Sequence, residues 1–407
     1  MRQNFIFTSE SVTEGHPDKL CDLISDAIVD RFLQQDPCAR ITAQCALAQS
    51  IVFVAAHFSS TALIDIPQVV RDVITQVGYN EEGFNGKTCT VLTSLNDVPL
   101  DPSRRYDEHS LDEAGVEAVG ARNQVNVFGF ACRQSPGLLP MPIWLAHKLA
   151  RRLSAVRFQG ILPYLAPDGR AQVGVEYRQG RPVRVNSVNL QVCLRATAGA
   201  VDPDRLGNEV RAAVIEPAFF GEEIQPDGTT LVMVRSGGSF LPCGPTAHSG
   251  LTGRKNAIDT YGEYARHSGA ALSGKDPNRI DRTGAYAARY AARNLVAAGL
   301  AGECEVHLSY AVGVARPVSV QVESFGTGHL DDEALGHLVR RQFDFRPAAI
   351  LRQFRLRHLP ASVKGGFYRK LAAYGQVGRM DMGLPWEVTD RLAALRAEAG
   401  LAARAGG

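Results

Sequence analysis

The stretch Glu14-Gly15-His16-Pro17-Asp18-Lys19 gathers an imidazole, a carboxylate and an ammonium around a proline-started helix. That is the chemistry of a polyphosphate site. Pro17 suits the first turn, where its missing N–H costs nothing, and Leu20, Leu23, Ile24, Ala27 and Ile28 follow at helical spacing. His16 and Asp18 therefore sit at the positive end of the helix. Free backbone N–H groups can hold an anion there, while Asp18 can hold a Mg²⁺ that bridges phosphate oxygens. Taken alone, Glu14, Asp18 and Lys19 read equally well as ordinary first-turn charges.

A second cluster, between Ser249 and Arg282, alternates glycine with base: Gly250, Gly253-Arg254-Lys255, Gly269, Ser273-Gly274-Lys275-Asp276, Arg279 and Asp281-Arg282. Small residues let the backbone approach an oxyanion, and Lys and Arg neutralise it. Two carboxylates among so many bases suggest metal ligation rather than plain salt bridges. The spacing is not that of a Walker A loop, and no Gly-x-Gly-x-x-Gly follows a predicted strand. A nucleic-acid surface is disfavoured, because 44 Lys and Arg stand against 42 Asp and Glu and the basic run lacks interleaved aromatics.

These groups need elements to hold them, and the chain repeats one pattern of elements. Residues 41–58 read as a hairpin, 66–77 as an amphipathic helix and 88–94 as a strand. The order returns with a hairpin over 171–193 turning at Gln179-Gly180, a helix over 204–215 and a strand over 230–234. It begins a third time with a hairpin over 304–322, turning near Arg316-Pro317, and a helix over 331–341. The pattern predicts an α+β fold of three similar sheet-plus-helix domains: 1–102, 120–240 and 241–390. Residues 103–119, rich in charge and turn formers, read as a mobile loop, and the tail 391–407 ends in a stretch with no reason to be ordered.

A chain of 407 residues with 45% hydrophobic content can bury a substantial core. No early apolar run follows a basic start and no stretch is long enough to span a bilayer, which predicts a cytoplasmic protein with no membrane partner. The eight cysteines contain no Cys-x-x-Cys pair and read as scattered small apolar residues, not as zinc ligands or a disulfide framework. A formal charge of +2 predicts no general attraction to nucleic acid.

The motifs taken together resemble the S-adenosylmethionine synthetase (methionine adenosyltransferase) family. They are Phe7-Thr8-Ser9-Glu10-Ser11-Val12 leading into Gly15-His16-Pro17-Asp18-Lys19, then Ser249-Gly250-Leu251-Thr252-Gly253-Arg254-Lys255, Asp259-Thr260-Tyr261-Gly262, Ser273-Gly274-Lys275-Asp276-Pro277 and Ala285-Tyr286-Ala287-Ala288-Arg289-Tyr290, in order over nearly the full length. The resemblance implies three domains about a pseudo-threefold axis and a homodimer whose active sites take residues from both subunits, with two such dimers often joined. It also implies that the 103–119 segment gates the site. The implied reaction joins the sulfur of methionine to C5′ of ATP and cleaves the released tripolyphosphate to pyrophosphate and phosphate. By motif, His16 assists the leaving oxygen, Asp18 and Asp281 bind two Mg²⁺, and Arg254, Lys255, Lys275 and Arg170 line the polyphosphate. Arg170 stands where the family usually has Lys. Asp168 matches the ribose-binding aspartate and Phe240 the aromatic on adenine; without the motif, Phe240 would read as an ordinary core aromatic.

Departures fall in the sulfur-substrate pocket, assigned by resemblance to His57, Asn123, Gln124, His248 and Arg279. The family hexapeptide Gly-Ala-Gly-Asp-Gln-Gly is here Gly120-Ala121-Arg122-Asn123-Gln124-Val125, and the acids that hold the methionine ammonium fall on His57 and His248. The K⁺-ligating glutamate falls on Gln44, which puts a K⁺ requirement in doubt. Replacing three carboxylates weakens a pocket for an ammonium. Two accounts follow: neutral histidines accepting hydrogen bonds in an ordinary methionine site, or a changed substrate, either an acidic or amine-free thioether or another nucleotide. A third, a catalytically idle nucleotide-binding regulator, is disfavoured by retention of His16, Asp18, Lys255, Lys275 and Asp281.

Overall fold

Alternating apolar residues broken by turn formers fold into hairpins wherever one face can be buried. The computed structural model describes residues 4–102, 105–199, 201–236 and 243–401. Its strands are β1 (Asn4–Val12), β2 (Arg40–Ala48), β3 (Ile51–Ser59), β4 (Asn80–Glu81), β5 (Phe84–Asn85), β6 (Thr90–Asp97), β7 (Val125–Cys132), β8 (Leu165–Arg178), β9 (Arg181–Leu194), β10 (Leu231–Ser236), β11 (Gly250–Leu251), β12 (Glu303–Tyr310) and β13 (Ser319–Glu323).

Three hairpins, β2–β3, β8–β9 and β12–β13, lie where the alternation predicts them. Helix Ile66–Val77 returns the chain so that β6 runs parallel to β3, and helix Pro203–Val210 with its extension does the same for β10 beside β9. The third unit differs: helix Asp332–Gln342 leads into helix Pro347–Phe354, and that sheet stays three-stranded. Each hairpin borrows an antiparallel neighbour from another third of the chain. β1 joins β8, β7 joins β12, and β11 joins β2. The exchange closes a cycle, so no third completes its own sheet, and the architecture is the predicted α+β arrangement of three sheet-plus-helix units.

Helix α1 (Pro17–Gln35) runs through the middle of this cycle, buried on almost every side. Asp18, Asp22, Asp26 and Asp30 recur every fourth residue and so form one stripe along it. Each accepts backbone N–H groups from the C-terminal third: Leu251 on Asp18, Gly253 on Asp22, Gly274 on Asp26, and Tyr368 and Arg369 on Asp30. The glycines permit this approach. A Cβ at Gly250 would lie 2.2 Å from the Pro17 carbonyl oxygen, and Gly274, at φ +77°, would place one 2.1 Å from that of Ala43.

One expectation changes, and one segment is given its contacts. Cys193, near the end of β9, is disulfide-bonded to Cys243. This corrects the reading of all eight cysteines as unpaired: the partners are 50 residues apart, and only the folded path of β9 brings them together. The segment read as a mobile loop is, in its described part, docked. It contains helix Glu113–Ala118, whose Glu113 and Glu117 pair with Arg346. Arg352 donates to the Glu108 and Leu111 carbonyls, and Arg105 pairs with Asp36 at 2.8 Å. Among the described residues no helix is long and apolar enough to cross a membrane. Phe240 and residues 402–407 lie outside the described residues.

Candidate active site

The first group of site residues forms where β1 ends against β8. Val12 pairs with Arg170, and the Thr13 N–H donates to the Gly169 carbonyl, so this junction delivers His16 on one side and Asp168 and Arg170 on the other. His16 caps α1, and its Nδ1 accepts the Asp18 N–H at 3.2 Å. A ring nitrogen that accepts cannot carry the proton, so the neutral ring carries it on Nε2, which is buried without a partner. Burial first, then the charges of Arg170, Lys255, His248 and Lys19, lower the His16 pKa to about 2. His16 is therefore an N–H donor, not an imidazolium.

Around it, Lys255 pairs with Glu10 at 2.6 Å and Arg254 approaches Asp18 Oδ1 at 3.5 Å. The His248 ring centroid is 5.7 Å from that of His16, and His248 Nδ1 donates to the Ser249 carbonyl at 2.8 Å. Asp168 Oδ2 accepts the Gly244 N–H, while its buried Oδ1 has no partner; burial raises its pKa. It borders a cavity of about 600 Å³ with Tyr79, Phe84, Pro167 and the Cys193–Cys243 bond. Glu14 turns away to Ser154, Arg157 and Tyr374 and serves structure.

The second group lies further along α1, beside Asp26, which accepts the Gly274 N–H and pairs with Arg282. Asp281 accepts from Asn123 Nδ2 at 2.8 Å and faces Lys275 Nζ at 3.3 Å, while its Oδ2 is buried and unpartnered. Burial lowers the Lys275 pKa. Arg279 and His57 line a separate cavity of about 730 Å³ with Arg122, Gly120 and Asp276. His57 meets Asn96 at 3.0 Å; Gln124 is exposed beside Asn123, and Gln44 is exposed on β2.

The two groups do not meet within one chain. Along β2, Leu47 faces Gly250 next to Pro17, whereas Thr42 faces Lys275, five residues or about 17 Å away. Asp18 and Asp281 are thus too far apart to hold a metal pair, whose ions sit about 3.5–4 Å from one another. Likewise His248 stands with His16, not with His57 and Asn123. What motif reading missed is the packing behind the site. Lys19 is fully buried between Asp22 and Asp259, and Arg282 grips Asp26 at 2.8 Å. The signal was present as acids recurring every fourth residue.

The carboxylates suit a hard divalent ion. Asp281 Oδ2 is a buried, unpaired oxygen, and Asp18 holds the Leu251 N–H on Oδ1 while its Oδ2 stands 3.9 Å from His16 Nδ1. Asn123 donates to Asp281 and so fixes which oxygen is offered. Asn123→Ala is expected to raise the Mg²⁺ concentration for half-maximal activity about tenfold, the lower end of what outer-shell partners contribute. An unchanged Mg²⁺ profile in initial rates removes that positioning role.

Comparison with known proteins agrees with this geometry. Residues 4–99 match the S-adenosylmethionine synthetase N-terminal domain, 118–240 its central domain and 243–388 its C-terminal domain. The chain is 46% identical over 405 residues to the S-adenosylmethionine synthase of Synechococcus sp. (strain JA-3-3Ab), covering 97% of this chain and 98% of that one. It is 45% identical over 412 residues to that of Synechococcus elongatus, covering 98% and 99%, and 46% identical over 407 residues to that of Gloeobacter violaceus, covering 96% and 97%. With all three domains matched in order and the His16 and Asp281 groups in place, the chain belongs to the S-adenosylmethionine synthetase family.

Proposed function

We propose that this enzyme converts ATP, methionine and water to S-adenosylmethionine, phosphate and pyrophosphate. The observation that carries the reading is His16: a neutral, buried imidazole whose proton sits on an unpartnered Nε2 among Arg170 and Lys255. Such a group can donate to O5′ as the C5′–O5′ bond breaks and the methionine sulfur bonds to C5′. Arg170, Arg254 and Lys255 hold the departing triphosphate, and the free Oδ1 of Asp168 is placed to accept from a ribose hydroxyl. Mg²⁺ ions bound at Asp18 and Asp281 would neutralise polyphosphate charge. The relatives' names favour methionine and ATP over the altered substrates and over an idle regulator.

Two half-sites set apart along α1 and β2 support a homodimer in which each chain supplies one half of each centre. The exposed apolar residues Ile51 and Phe53 on β3 and their neighbour Leu92 on β6 share one face of the sheet and give a second copy a flat surface to cover. Pairing of dimers, cytoplasmic placement and gating by residues 103–119 belong to the same reading. The test is incubation with ATP, Mg²⁺ and a panel of thioethers, reading product masses. S-adenosylmethionine formed from methionine at the highest kcat/KM supports the reading; a desamino thioether preferred over methionine, or no sulfonium product, overturns it.

Gln44 makes a further prediction. A neutral, exposed amide does not supply the anionic ligand expected for a dehydrated K⁺. Initial rates are expected to stay nearly constant when K⁺ replaces choline at equal ionic strength. Strong activation by K⁺ would show that the cation site survives on other residues.

A further inference from the structure

Behind the second half-site, where residues 105–112 dock, a third set of donor atoms gathers: Arg357 there also donates to Asn278, which lines the cavity of Arg279 and His57. Glu108 is almost fully buried. Its Oε2 accepts from Arg357 Nη1 at 2.9 Å, yet its Oε1 is buried with no hydrogen-bond partner. His358 Nε2 stands 3.9 Å from that oxygen, and the His109 ring centroid is 6.2 Å from that of His358. One ligand atom from each of the three residues lies within 4.8 Å of the other two.

We propose that Glu108, His109 and His358 form a site for a divalent transition ion of the zinc class, which fastens the 105–112 segment to the chain at His358. Two imidazoles and one carboxylate suit such an ion, whereas Mg²⁺ takes oxygen ligands. Donors on a tetrahedral ion lie about 3.4 Å apart for bonds near 2.1 Å, so the Glu108–His358 pair closes by a few tenths of an ångström. The outer shell is already built. Arg357 holds the second carboxylate oxygen and also donates to the Tyr106 carbonyl at 2.7 Å, and Arg352 donates to the Glu108 carbonyl at 2.8 Å. The cost of this shell is the Arg357 charge beside the ion, which weakens binding relative to a site with two carboxylates. His109 is exposed and can swing onto the ion without disturbing the core.

The test titrates the full-length, zinc-free protein with Co²⁺ and then Zn²⁺, with saturating Mg²⁺ present to occupy the all-oxygen sites. One equivalent of Co²⁺ with visible absorption, displaced by Zn²⁺, is expected. His109→Ala and His358→Ala are each expected to weaken Zn²⁺ binding at least about tenfold, and His267→Ala to leave it unchanged. Zn²⁺ is also expected to slow limited proteolysis within 105–112 in the natural protein but not in His109→Ala, a change confined to an exposed side chain. Equal Zn²⁺ affinity in the natural protein and both histidine variants overturns the site. So does uptake abolished by Cys243→Ser but kept by the histidine variants, which would put the ion at Asp168, Cys193 and Cys243.

Discussion

His16→Ala is expected to lower kcat at least about a hundredfold while the affinity for ATP barely changes, the loss seen when a donor to developing negative charge is removed. The buried Nε2 has no partner in the resting protein, so losing that donor breaks no hydrogen bond of its own, although the variant also gives up the helix-capping bond from the Asp18 N–H to Nδ1. The pH dependence carries a second mark. Because the His16 pKa is lowered to about 2, the ring is neutral across the working range, and the rate should show no titration belonging to it between pH 5 and 9. Lys275→Met should give a comparable loss in kcat. Single-turnover rates and nucleotide Kd decide the matter: a change confined to KM would assign both residues to binding alone.

The largest expected effect on stability is at Lys19. Its ammonium, fully buried, lies 2.9 Å from Asp22 and also contacts Asp259. Burial alone would lower the Lys19 pKa, but the two carboxylates outweigh it and the value stands above normal, while burial lifts the Asp259 carboxyl to about 7. Lys19→Met strands two carboxylates in a low-dielectric interior and is expected to cost about 3–5 kcal/mol. Urea unfolding at fixed protein concentration measures it, since an oligomer's apparent stability varies with concentration. A loss below about 1 kcal/mol would mean that the acids take up a proton or water at little cost.

Both effects were only half visible in the sequence. The helix start at His16-Pro17 and the glycine-base cluster were legible because capping chemistry and small-residue spacing are local. The β2–β3 and β8–β9 hairpins were legible for the same reason, the second down to its turn, where Gln179 and Gly180 both take positive φ. Partner choice was not. β11 has only two paired residues, and β7 reaches its partner β12 far along the chain, so no local pattern announces either. The recurrence of Asp22, Asp26 and Asp30 at a spacing of four reports a shared face without saying what covers it. The separation of the site into two groups likewise depends on where the C-terminal third meets β2 and α1, which motif order leaves out.

The Cys193–Cys243 bond makes a covalent ring of the chain between them, a ring that carries helix Pro203–Val210 and β10 and spans the join between the centrally matched and C-terminally matched parts. A crosslink over 50 residues removes about 4 kcal/mol of freedom from the unfolded chain by loop-closure arithmetic. It also makes a cut within the ring topologically silent: the halves travel as one molecule until a thiol opens the bond. The ring therefore protects chain continuity beside Asp168 in a way that the peptide backbone alone does not, and in the reducing cytoplasm proposed for this enzyme thiols would open the bond and remove that protection.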